Sequence, residues 1–196
     1  MYSKLPYFVF GFHGCSEETY NSVIKEGKPL LPSDNDYDWL GHGIYFWESN
    51  LERAVQWAEE QAKQKHYKPA VIGAIIDLGH CLNLLDSSYI SLIKNHYDIF
   101  KGEMEAINSV LPKNTNVGKN TDLLLRRLDC AVINHLHEDR KYNNEKAFDS
   151  VRGMFLEGNP IYPDAGFREK AHIQIAVRNI DCIKGYFSPL NNKFLK

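Results

Sequence analysis

Two short segments of this chain combine residue types that suit a flat, polar ring. Phe10-Gly11-Phe12-His13-Gly14-Cys15 closes an apolar run with a His-Gly step. Leu40-Gly41-His42-Gly43-Ile44-Tyr45-Phe46-Trp47 leads from a glycine turn into an aromatic strand. His13 supplies a hydrogen-bonding ring and Tyr45 a ring face. Gly14 and Gly43 let backbone N–H and C=O groups approach a ligand closely. Together they suit a nucleotide-like ligand that carries an aromatic amide. A third polar set lies late in the chain. In His172-Ile173-Gln174-Ile175-Ala176-Val177, strand alternation puts His172, Gln174 and Ala176 on one face. Ile173, Ile175 and Val177 then share the other. The first of these faces reads as a cleft wall.

These residues need strands to hold them and helices to back them. The pattern predicts a strand over 7–13. Ser16 then caps a helix over 19–25, which Gly27 ends. A short strand over 43–47 turns Tyr45 and Trp47 one way and Ile44 and Phe46 the other. Ser49 or Asn50 caps a helix from Leu51 to about Lys65, with Ala54, Trp57, Ala58 and Ala62 on one face. A strand follows over 70–78, then a short apolar run over 81–85. Helical pieces are expected over 87–111, and an amphipathic helix over 122–137 starting from a Thr121/Asp122 cap. The segment 148–156 precedes an irregular Gly/Pro/Tyr stretch, and strands over 171–178 and 182–187 close the chain. Strands at both ends and helices between them read as α+β, with early strands pairing late ones. One domain over 1–196 is expected, with a helical insertion at about 87–147.

His13-Gly14-Cys15, Val23 to Gly27, Gly41 to Phe46 and Ala54 to Ala58 resemble the NAD-binding half of the ADP-ribosyltransferase superfamily. The likeness is to its diphtheria-toxin and poly(ADP-ribose) polymerase branch, whose signature is His, Tyr, Glu. It covers residues 8–86, and 171–189 more loosely. It implies a split, mostly antiparallel β core around an NAD cleft. It also implies transfer of ADP-ribose from NAD, the substrate, to a macromolecular acceptor, protein or nucleic acid, with release of nicotinamide. In that reading His13 hydrogen-bonds a ribose hydroxyl and the Gly14 backbone clasps the nicotinamide amide. Cys15 and Gly43 line the same cleft. Tyr45 stacks on the nicotinamide, and Trp57 forms a second stacking wall. Arg53 stands where many relatives carry Ser, so it is expected to face water or a phosphate.

Gln174 stands where the family has its Glu, and His172 lies beside it. An amide can bind a hydroxyl but carries no negative charge and is no general base. The substitute acid is expected to be Glu157, on a loop with Gly158 and Pro160, ahead of Glu169. The catalytic set is then His13, Tyr45, Gln174 and Glu157, with no metal. Without the Glu, mono-transfer is expected rather than polymer formation. An NAD glycohydrolase, or a silent module that binds NAD or ADP-ribose, are the alternatives. Compact domains of this type often act as toxins or phage-defence effectors, which would make an antitoxin protein a partner.

Composition narrows the classes further. A hydrophobic share of 43% and a charged share of 24% over 196 residues are those of an ordinary globular chain. A formal net charge of −2 gives no global basic field for nucleic acid. Cys15, Cys81, Cys130 and Cys182 are too dispersed for a zinc site or a disulfide framework, which favours the cytoplasm. No run approaches the roughly 20 apolar residues of a membrane span, so no membrane partner is expected. His135 and His137, expected to be exposed, face apart on a helix and do not form a metal pair with Asp129. Arg152 reads as a surface arginine.

Overall fold

The computed structural model describes residues 8–118 and 121–189. Tyr7 of the expected first strand, and Lys119 and Asn120, lie outside that range. Strand β1 (Val9–Ser16) runs directly into helix α1 (Glu17–Ile24). Ser16 caps it: the Thr19 N–H donates to Ser16 Oγ, as the sequence predicts. Next come β2 (Ile44–Glu48), α2 (Leu51–Lys65) and β3 (Pro69–Ile76). Asn50 is the cap of α2, receiving the Arg53 N–H on its side-chain oxygen. The middle of the chain holds β4 (Cys81–Asn83), α3 (Ser87–Ala106), the two-residue strands β5 (Asn114–Thr115) and β6 (Leu125–Arg126), and α4 (Arg127–Tyr142). Last are β7 (Ser150–Phe155), β8 (His172–Val177) and β9 (Ile183–Phe187), the last two separated by a 3-10 turn at Ile180–Cys182.

Seven strands form one sheet in the order β4-β7-β8-β2-β1-β3-β9. All pairs are antiparallel except β4 with β7. The fold is α+β with a mainly antiparallel, partly parallel sheet. Early strands do pair late ones, β2 with β8 and β3 with β9. One face of the sheet carries Phe46, Ile72, Ile76 and Ile175, with Tyr20 and Val23 of α1 packed on it. The opposite face is covered in two parts. Ala54 and Ala58 of α2 pack on Trp47 and Val71, while Ile133 and Leu136 of α4 pack on Leu40, Leu82 and Val151.

Three expectations are corrected. The helical pieces over 87–111 are one continuous helix, α3, capped by Asp86. The helix expected from Asp122 starts only at Arg127 and runs on to Tyr142. Leu123 takes a left-handed φ of 52°, and Leu125–Arg126 pairs with β5 instead. The start of α4 is set from a distance, because Asn114 Oδ1 accepts the Leu128 N–H at 2.9 Å. Finally, most of the β8 face bearing His172, Gln174 and Ala176 is covered by protein: His172 and Ala176 are buried and Gln174 partly so.

Candidate functional site

β1 and β2 are neighbours, but their ladder holds only two register pairs, Gly11 with Glu48 and Phe12 with Trp47. The next link is a side chain: His13 Nδ1 lies 2.8 Å from the Tyr45 carbonyl oxygen. A carbonyl only accepts, so Nδ1 carries the proton and Nε2 keeps its lone pair. Burial lowers the pKa of the ring, with the bond to Tyr45 acting against it, so the ring is neutral at pH 7. It can accept a hydrogen bond from a hydroxyl at Nε2. The register puts His13 on the Phe46 face, with the two rings edge to face at 5.8 Å. Tyr45 projects from the opposite face. The two motifs therefore meet through the Tyr45 backbone, not through its ring.

The Tyr45 hydroxyl donates to Gly41 O at 2.6 Å and accepts the Leu40 N–H at 2.8 Å. Burial pushes its pKa well above the ordinary phenol value. Through its hydroxyl Tyr45 is a strut of the glycine turn. Gly43 is committed too, exchanging backbone hydrogen bonds with Ser33. Cys15 leaves the ligand-contacting set. It is buried in the Phe46 core, where burial raises its thiol to about 12.

Gly14 and Trp57 do come together. A Cβ at Gly14 would stand 2.5 Å from Ala54 O and 3.1 Å from Trp57 Cδ1. Only glycine lets α2 lie this close to β1. Trp57 is 39% exposed above Gly14, with its ring 5.7 Å from that of Trp47.

The late polar residues form one connected chain. His172 donates from Nδ1 to Lys170 O, which leaves Nε2 to accept from the Gln174 amide nitrogen at 3.0 Å. Burial lowers the His172 pKa to about 4, and nearby Arg53 and Arg126 push the same way. Its ring is fully covered, so it cannot touch a ligand; it orients Gln174 instead. Gln174 is partly buried and pairs in register with Trp47 and Gly153. Glu157 Oε2 lies 4.0 Å from His172 Nδ1 and 3.2 Å from Arg53 Nη2. Arg53, only 5% exposed, faces neither water nor an open phosphate site. Its charge is matched by Glu157, and its Nη1 donates to Gln56 at 3.1 Å. Arg152 is not a surface residue either. It makes a two-pronged pair with the Glu48 carboxylate and also donates to Asn83.

The chain is 27% identical over 192 residues to an uncharacterised protein of Methanocaldococcus jannaschii, an alignment covering 88% of this chain and 83% of that one. No family model matches the chain, and no solved structure matches it.

Two clusters carry no local sequence signal. The Arg126 guanidinium stands 4.2 Å over the Trp39 ring and 4.9 Å over that of Phe155. Between α3 and α4, His96 Nε2 lies 2.8 Å from His135 Nδ1, and His135 Nε2 lies 2.8 Å from Glu103. His135 and His137 are thus not free surface residues. His137 is 7% exposed, and burial pushes its pKa down to about 3.

Proposed function

We propose that this chain transfers a single ADP-ribose unit from NAD to a macromolecular acceptor and releases nicotinamide. One observation supports this above the others. His13, Tyr45 and Gln174, the three signature positions of the resemblance, lie on three adjacent strands, β1, β2 and β8. On this reading the sheet is an ADP-ribosyltransferase core, and NAD enters where the β1–β2 ladder ends after Phe12. The bond from C1 of the nicotinamide ribose to the ring nitrogen breaks, and its electron pair leaves with nicotinamide. C1 then bonds to an acceptor nucleophile, whose proton is lost. His13 Nε2 accepts from a ribose hydroxyl on the Phe46 face; the Gln174 amide, aimed by His172 on the opposite, Trp47 face, binds a second polar group of an NAD that threads the open end of the β1–β2 ladder. Glu157 is the carboxylate available for the acceptor proton, held by Arg53 rather than free on its loop.

The test is nicotinamide release from NAD by purified protein, with and without whole-cell lysate. Release with labelling of a macromolecule supports transfer and names the acceptor class. Release without labelling makes the protein a glycohydrolase. The Gln174 amide itself favours a second reading, a module that binds NAD or ADP-ribose without turnover, because no carboxylate occupies the β8 position. Saturable NAD binding with no release would establish it. A toxin or defence role, with an antitoxin as partner, follows only from the first outcome.

A further inference from the structure

A cavity of about 740 Å³ opens between α3, α4 and β7, away from His13. That volume lies within the roughly 300–1,000 Å³ of small-molecule sites. Its walls are apolar: Ile90 and Ile93 from α3, Val132 and Ile133 from α4, Met154 and Phe155 from β7. Met154 is 58% exposed and Ile90 51% exposed, so the apolar wall is open at its rim.

Charge enters this cavity through Arg126, Lys94 and Asp129. Arg126 is the unusual one. Its Nε is buried with no hydrogen-bond partner among the described residues. Its Nη2 makes one long bond, 3.4 Å, to Asp122 O. Asp129 lies 3.7 Å from Nη1, and its carboxylate is shared with Asn114 at 2.7 Å. A guanidinium has five donors, and this one is stacked on two aromatic rings with few acceptors. Lys94 lines the same cavity, is exposed, and has no ion pair among the described residues. Asp122, Asp129 and Glu157 act on Arg126 electrostatically, so its field is moderated rather than cancelled.

We propose that this cavity binds a small molecule with an apolar body and one carboxylate, the body between α3 and α4 and the carboxylate on Arg126. The proposal does not rest on ADP-ribosyl transfer. The Trp39 and Phe155 rings that carry Arg126 also contact His172, at 6.3 and 5.8 Å between centroids. The ligand would therefore sit one residue layer from the Gln174 chain.

The full chain would be titrated calorimetrically with decanoate and decyltrimethylammonium, each below its micelle concentration, and with decanol below its solubility limit. Decanoate is expected to saturate at one per chain and to bind about tenfold tighter than decanol. That is the order of one charge-assisted hydrogen bond, about 1.4 kcal/mol. Arg126→Gln should remove that preference and leave decanol binding unchanged. Ile90→Asp, at an exposed wall position, should weaken both. Equal binding of the three probes, no saturable binding, or undiminished decanoate binding by Arg126→Gln would overturn the proposal. If Arg126→Gln does not fold, the comparison of head groups on the unmodified chain decides alone.

Discussion

At the scale of single residues, the protonation states are fixed by partners that can only accept. The Tyr45 carbonyl sets the proton of His13 on Nδ1, and the Lys170 carbonyl does the same for His172. His13 is therefore poised to receive a hydroxyl at Nε2. His13→Ala is expected to lower nicotinamide release about a hundredfold, the equivalent of roughly 3 kcal/mol of lost hydrogen bonding. The folded state should survive, as judged by a thermal melt. Release at the native rate would remove His13 from the site. Gln174→Glu tests the neighbouring strand. Its carboxylate would face the His172 lone pair, where the Gln174 amide now donates. The variant should keep or raise nicotinamide release while losing about 1–3 kcal/mol of stability from that broken bond. A variant that loses stability with no NAD turnover would show that position 174 supports the fold and not the chemistry.

At the scale of elements, Gly14 shows how β1 and α2 are locked together. Gly14→Ala places a methyl group 2.5 Å from Ala54 O, a backbone atom that cannot swing away. The helix must shift, at a cost of about 1–3 kcal/mol. A lower melting temperature should accompany a change in Trp57 fluorescence, since Trp57 rests on the same spot. An unchanged melt would mean that α2 is not held against β1 this closely. The caps at Ser16 and Asn50 were legible in the sequence because a cap is a contact between residues three apart. The alternation of β2 and β8 was legible for the same local reason. The start of α4 was not, because Asn114 caps it across a hairpin. Nor was the burial of the His172 face. Trp39, Trp47 and Phe155 surround the His172 ring, and only the folded sheet brings them to it. Alternation therefore places His172 and Gln174 on one face, but it carries no sign of the packing that buries His172.

At the scale of the whole molecule, burying histidines as neutral rings makes the fold sensitive to acid. His13, His96, His137 and His172 all have pKa values lowered chiefly by burial from the ordinary 6.5, His172 to about 4 and His137 to about 3. Below pH 6.5 the unfolded chain takes up protons that the native state refuses. Stability is therefore full above that pH and declines as the pH falls towards the native values. Each such histidine costs about 1.4 kcal/mol per pH unit within the window. His137 separates this effect from general acid damage, because its Nε2 is buried without a partner among the described residues and nearby Arg178 and Arg140 also oppose its charge. His137→Leu removes both the titration and the orphaned nitrogen. Thermal melts at pH 8 and pH 5 should show the variant gaining about 2 kcal/mol more, relative to the native chain, at the lower pH. An equal change at both pH values would mean that His137 takes up its proton in the folded protein, and that acid sensitivity arises elsewhere.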